Sequence, residues 1–416
     1  MMTTSQVSID KTNRRRSFLS AVLGACLEYY DYALYGFLAP VFTKIFFPAQ
    51  DDTVALLQVY GVYMIGALAK PFGSFLIGWI GDLYGRRQAL VINMLGMMFA
   101  TFIMAGLPTY EAIGWGAPLL LILCRLAQGI FNAGESPGVQ VYILEHVSPH
   151  RSCFANSLVW VCSLGGIFLA SCAASLVLMS EVPEEMWRVA YLIGGLAAIA
   201  LFLSRRYMGE SPEFVAEVSR ETTSHPLQHL KSILQTNWRA VVGTILICGA
   251  VGGAYHIYFV YWLSQGLSAQ PYLLPLALLI YTVAAPPMGL MADRIGARQF
   301  QMLAGLALTG CLALHLTVAN SLMLVILTST TLSAFSIPGY VLILRLFNVG
   351  DRYQGMSMGH ALGSMLFSGT APAMSVMASN AWGGPQGAII YMIMLIFFIP
   401  LALGLVKKRG LGRAKD

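Results

Sequence analysis

Runs of roughly 20 apolar residues, long enough to cross about 30 Å of hydrocarbon as helix, recur along almost all of this 416-residue chain. Twelve are expected, at approximately 18–40, 55–79, 88–108, 116–144, 153–179, 188–204, 240–263, 271–291, 300–319, 321–346, 354–379 and 386–406. With 57% hydrophobic and only 11% charged residues, the chain cannot clothe a soluble globule in polar side chains. The expected fold class is an all-α integral membrane protein of twelve transmembrane helices, with the lipid bilayer as its first partner. The first run follows a short polar segment with Lys11 and Arg14 to Arg16. It is long, internally charged and without a small-residue cleavage site, so it reads as a retained span and not a signal peptide.

Orientation follows from the basic residues, because short positive loops stay cytoplasmic. With the N-terminus inside, only Lys44 and Arg188 of the 25 Lys and Arg fall outside, and Lys70 and Arg125 lie within the bilayer. Both termini are therefore expected in the cytoplasm. The net charge of +6 is a topology signal and gives no reason to expect a nucleic-acid partner. All seven cysteines lie in apolar spans without a CxxC pair or His/Cys cluster, so neither a disulfide frame nor a metal site is expected.

The one long polar interval, 205–239, separates six spans from six, giving a six-helix bundle over 1–204 and a second bundle with a short basic tail over 240–416. GWIGDLYGRRQ at 78–88 returns as GLMADRIGARQ at 289–299, each in a short cytoplasmic loop after an even-numbered span. Gly78, Asp82, Gly85, Arg87 and Gln88 match Gly289, Asp293, Gly296, Arg298 and Gln299. The halves are read as a duplication, and parallel six-helix repeats are a transporter architecture with its site near the bilayer midplane. Physically, Gly85 and Gly296 permit a tight turn, Asp82 and Asp293 suit a helix N-terminus, and Arg86 or Arg87 can pair with Glu145.

GWIGDLYGRRQ resembles the signature loop of the major facilitator superfamily, G-x-x-x-D-(R)-x-G-R-R, departing at Leu83, although Arg294 of the second copy supplies the usual Arg. RLAQGIFNAGESPG at 125–138, ESPEF at 210–214 and EYYDYALYGFLAP at 28–40 resemble the metabolite:proton symporter branch. The resemblance implies the major facilitator fold. It also implies that the two loops, with Glu145, latch the cytoplasmic ends of the halves when the carrier is open outward.

An ionisable side chain at the bilayer centre costs about 2.5–3.5 kcal/mol on insertion scales, so each one in a span needs a reason. Glu28, Asp31, Lys70, Arg125 and Glu135 all fall in the first half. Gly24, Glu28, Asp31 and Tyr35 share one face of span 1, and Arg125, Gln128, Asn132 and Glu135 share one face of span 4. Asp31 and Arg125 each lie about nine residues below an outer end, near 13 Å down at about 1.5 Å per residue, so they can meet. An acid in span 1 beside an arginine in span 4 is, by the resemblance, a proton-coupling pair. Desolvation favours the neutral acid and a guanidinium the carboxylate, so small movements would load or release a proton. Glu28 is either a second titrating group or a substrate ligand, and Lys70 either neutralises Glu135 or binds an anionic substrate. Tyr32 and Tyr35 complete the substrate candidates of this half; those of the second half are His256, Tyr258, Tyr340 and His360. His315 is read as a packing or lipid-interface residue.

The expected function is proton-coupled symport of a small organic metabolite, with protons as coupling ion and no other cofactor. Span 5 lacks the Gly-Pro signature of superfamily exporters, which disfavours an antiporter. A non-transporting sensor would have lost the titratable pair or gained a signalling domain, and no nucleophile–base constellation or phosphate loop suggests an enzyme. The resembled branch handles carboxylates and zwitterions, and Lys70 and Arg125 suit a carboxylate-bearing cargo. A bacterial inner membrane and a functional monomer complete the expectation.

Overall fold

The computed structural model describes residues 4–47, 52–178, 184–217, 226–263, 273–317 and 321–406. All regular structure among them is helical. The basic tail from Lys407 and Arg220 of the central interval lie outside the described residues. The helices used below are α1 (Thr4–Phe37), α2 (Ala39–Phe46), α3 (Asp52–Leu83), α4 (Arg86–Ala105), α5 (Gly116–Asn132), α6 (Glu135–His146), α7 (Ser152–Val177) and α8 (Trp187–Arg205). They continue with α9 (Pro226–Tyr255), α10 (Leu273–Ile295), α11 (Ala297–His315), α12 (Leu322–Ser336), α13 (Pro338–Leu344), α14 (Val349–Gly363), α15 (Ala371–Ala381), α16 (Gln386–Ile396) and α17 (Phe398–Val406).

Ten stretches among the described residues are helical, long and apolar enough to cross a membrane. The other two expected spans are helices as well, α1 and α11, but each carries a polar load: Glu28, Asp31 and several tyrosines in α1, and Arg298, Gln299, Gln301 and His315 in α11. Large apolar side chains such as Leu68, Phe72, Phe168, Leu196 and Leu306 stay more than half exposed, the surface expected where lipid is the solvent.

The chain divides into two compact units, Met1–Glu145 with Cys162–Pro226, and His146–Val161 with Leu227–Asp416. Inside the first unit, one end is closed by an aromatic cluster in which Phe42 meets Trp187 at 5.4 Å and Tyr191 at 6.2 Å. Burying such rings supplies much of a small core's stabilisation.

Each unit also contains a span broken near a proline, and the breaks are handled alike. Span 4 parts between α5 and α6 at Ala133–Gly134, upstream of Pro137. Proline lacks the N–H that would bind the carbonyl four residues back, and the freed Ala133 carbonyl accepts instead from Ser74 Oγ at 3.3 Å. Asn93 of α4 brackets the same break: with its amide assigned the orientation its neighbours require, Nδ2 donates to Phe131 O at 2.9 Å and Oδ1 accepts from Glu135 N at 3.2 Å. Span 10 parts between α12 and α13 at Ile337, just before Pro338, and there Gln301 Nε2 of α11 donates to Phe335 O at 3.2 Å. A backbone group left without its helical partner is tolerated in a membrane where a side chain re-satisfies it, and the third and ninth spans each supply an amide close to the break.

Candidate functional site

The charged stripe of α1 faces the interior of the first unit. Asp31 is 3% exposed and both its oxygens are engaged: Thr101 Oγ1 donates to Oδ1 at 3.0 Å and Gln128 Nε2 to Oδ2 at 2.7 Å. Arg125 lies over the ring of Tyr35 at 3.7 Å and donates to the Tyr191 hydroxyl at 3.4 Å. The two charges act on each other through space, but the direct ion pair expected from the sequence does not form. Gln128, three residues along the same face of α5 as Arg125, occupies the acid, and Tyr35, one turn beyond Asp31 on α1, occupies the guanidinium.

Glu28 accepts from Ser136 Oγ at 2.7 Å. Lys70 does not neutralise Glu135: its ammonium rests over the Tyr32 ring at 4.6 Å. The cation that takes Glu135 is Arg205, whose guanidinium forms a two-pronged pair with it, Nη1 donating to Oε2 at 2.9 Å and Nη2 to Oε1, while Nη1 also donates to Leu90 O at 2.6 Å. By sequence pattern Arg205 opens the polar interval. The structure instead makes it the last residue of α8, fully buried. Room for this pair comes from Gly24, since a methyl there would overlap the Arg205 guanidinium and press on Glu135 Oε1. Glu28, Asp31 and Glu135 share one narrow cleft with Met94, Met97 and Thr101. On α5, Arg125 Nε, Gln128 Oε1 and Asn132 Oδ1 are buried without hydrogen-bond partners.

At the end of α3 the first signature loop is built around Arg86, which is fully buried. It donates Nε and Nη2 to Glu145 at 3.2 Å each and Nη1 to Asp82 Oδ1 at 3.2 Å and to Gly81 O at 2.7 Å. Gly85 has φ of 107°, left-handed backbone that a side chain resists. The ESPEF segment, which the sequence marks only by its resemblance, has a mechanical role. Glu210 accepts from the backbone N–H of Arg86 and Arg87 at the start of α4, and Ser211 Oγ donates to Glu145 at 2.5 Å. Carboxylates suit a helix N-terminus, but Asp82 takes Arg86 while Glu210 takes the helix end. Arg87 is turned outward, donating to Arg206 O.

The second copy is plainer. Gly296 has φ of 100°, and Asp293 accepts from Cys153 N and Phe154 N at 2.9 Å each, capping the start of α7. Gly78, Gly289 and Arg298 lie in the helices flanking the two turns. Among the other candidates of the second unit, Tyr340 and His360 are hydrogen-bonded at 2.5 Å, with Trp160 edge-on to Tyr340 at 6.5 Å. His256 contacts Gly252 O of its own helix through Nδ1 at 2.7 Å, and Tyr258 packs on His315 at 6.0 Å. His315, 5% exposed, meets Thr328 Oγ1 at 3.1 Å.

Broken spans, an interior row of carboxylates and a loop motif that occurs twice suit a polytopic membrane transporter. The model of the "Sugar (and other) transporter" family matches residues 17–230, and the chain belongs to that family, within the major facilitator superfamily. It is similar to the proline/betaine transporter of Salmonella typhimurium, 28% identical over 97% of this chain and 85% of that one. It is also similar to the alpha-ketoglutarate permease of Escherichia coli (26%; 97% and 95%) and to the citrate-proton symporter of Klebsiella pneumoniae (27%; 86% and 84%). Among solved structures, the proton:xylose symporter XylE bound to 6-bromo-6-deoxy-D-glucose shares the fold, with a TM-score of 0.70, 16% identity and 96% of each chain covered.

Proposed function

We propose that this transporter couples protons to the uptake of a small carboxylate-bearing metabolite by alternating access, acting as a monomer in a bacterial inner membrane with both termini in the cytoplasm. The observation that carries this reading is the row of buried carboxylates on α1 and α6, with Arg125 nearby on α5. Ionisable groups held at such cost inside a membrane mark ion or proton paths. Three polar atoms of Arg125, Gln128 and Asn132 left without partners on one helix face supply donors and acceptors for a polar cargo. The relatives' names support a carboxylate: proline, betaine, alpha-ketoglutarate and citrate all bear one.

In this mechanism Arg125 and Lys70 attract the cargo's carboxylate, and an entering proton neutralises an acid on α1. Loading changes the charge balance of the cleft and permits the latch around Arg86 and Glu145 to be released. An inside-negative potential, worth about 2.3 kcal/mol per charge per 100 mV, favours inward movement of the added positive charge. Proton uptake by proteoliposomes, measured as glycine betaine, proline, citrate or 2-oxoglutarate is added outside, tests the reading. One compound is expected to make the exterior more alkaline through the wild type, with at least about a tenfold smaller effect through the double variant Glu28→Gln, Asp31→Asn, which removes both acids of α1, equivalent to about 1.4 kcal/mol. Uptake of a compound without protons would sink the symport reading.

A further inference from the structure

Three carboxylates line the cleft of the first unit, yet their surroundings balance a negative charge unequally. Asp31 has two hydrogen-bond donors, one of them an amide, and the field of Arg125. Glu135 has both Nη groups of Arg205. Glu28, 8% exposed, has a single neutral hydroxyl, that of Ser136. Among the described residues no Lys, Arg or His nitrogen stands within 4.0 Å of its carboxyl.

The groups facing Glu28 from each neighbouring helix do not repair this. From α3, Lys70 acts through space but rests on Tyr32. From α8, Arg205 is engaged by Glu135, and from α6 Glu135 itself is a like charge. From α4 the cleft receives Met94 and Met97, which are apolar, and Thr101, whose hydroxyl goes to Asp31. Burying a charge without a counter-ion is far costlier than burying the neutral acid.

We propose that Glu28, and not Asp31, carries the coupling proton, while Asp31 and Glu135 remain charged as fixed poles on either side of it. The inference rests on the proton-coupled reading above and assigns its carrier. Release requires a counter-charge to reach Glu28, and Lys70 is placed to supply it. Among the described residues it has no carboxylate within 4.0 Å, and it sits on the tyrosine four residues along α1 from Glu28. Movement of α3 against α1 would carry its ammonium from the Tyr32 ring to the acid and expel the proton.

The full-length protein in liposomes is treated with N,N′-dicyclohexylcarbodiimide, which modifies protonated carboxyl groups in apolar surroundings and spares carboxylates. The modified residue is located by fragment mass spectrometry. Glu28 is expected to carry the adduct about tenfold more than Asp31 or Glu135, the ratio given by one unit of difference in proton affinity. The adduct should persist in Asp31→Asn and vanish in Glu28→Gln. Modification of Asp31 in the wild type, or a Glu28 left untouched, would overturn the assignment, and the wild-type map discriminates the three acids whether or not a variant folds. The two readings fail separately. A working symporter with an unlabelled Glu28 removes only this assignment, whereas a wild type that moves glycine betaine, proline, citrate or 2-oxoglutarate without protons removes the coupling role altogether.

Discussion

In the first unit a carboxylate takes a threonine and a glutamine, another takes an arginine, and a second arginine lies on a tyrosine ring. Among the described residues of the second unit, buried polar contacts inside the spans include neutral ones, Gln301 to a carbonyl, Ser333 to Tyr281 O at 2.9 Å and Tyr340 to His360, while the buried Arg352 lies in the first turn of α14. Two units with similar breaks thus carry different chemistry. Neutral polar groups need only a hydrogen bond to be tolerated in a membrane, but each charge needs a partner or a function. Among the described residues, every buried Asp and Glu falls in the first unit, which therefore concentrates the electrostatic risk.

The sharpest way to break this contrast is to remove a charge from the first unit. Arg205→Met would leave Glu135 buried and unpaired, a change expected to cost about 3–5 kcal/mol. It should appear as a large drop in melting temperature and in folded yield on size exclusion. Pairing it with Glu135→Gln should recover most of the loss, because two neutral side chains avoid the stranded charge. If the double variant is as damaged as the single one, the pair contributes packing and little electrostatics.

Much of this arrangement is legible in the chain, for reasons that differ by residue. The stripes of α1 and α5 follow from helical spacing. Glu145 as partner of a signature-loop arginine follows from the need to neutralise it, and the structure gives it to Arg86, not Arg87. The partner of Glu135 is not legible. Arg205 lies 70 residues away in sequence, and composition at a span's end cannot distinguish a solvated arginine from one folded back into the bundle. Nor does periodicity say which of several groups on a face wins an acid, and so Gln128, not Arg125, bonds Asp31. The role of Glu210 at the start of α4 needs the tertiary fold as well.

The two signature loops offer a second, smaller test. Gly85→Ala would meet both a left-handed backbone and the Glu210 carboxylate, whereas Gly296→Ala meets the backbone alone, with no heavy atom within 4 Å of its new methyl. Strain at such a φ costs about 1–2 kcal/mol, so both variants should melt lower, and Gly85→Ala should lose about 1 kcal/mol more from overpacking. Thermal unfolding of the two variants side by side measures the difference. Equal losses would mean that Glu210 yields freely and that the first loop is no more tightly built than the second.

The smallest expected effect compares the neutral groups that the two units have in common. Asn93 satisfies two backbone atoms at the break of span 4, Phe131 O and Glu135 N, and Gln301 satisfies one at the break of span 10, Phe335 O. A buried hydrogen bond contributes about 0.5–1.5 kcal/mol net. Replacing either amide with leucine should therefore destabilise, with Asn93→Leu exceeding Gln301→Leu by about 1 kcal/mol for its additional bond. The two should also differ in kind. Asn93 binds the backbone of Glu135 itself, so its loss loosens the charged row, and the pH profile of uptake should shift with the stability. Gln301 bonds the backbone of an apolar residue, so its loss should lower the melting temperature and leave that profile in place. A pH profile moved equally by both variants would mean that the second unit shares in proton handling after all, and the division of labour between charged and neutral interiors would have to be abandoned.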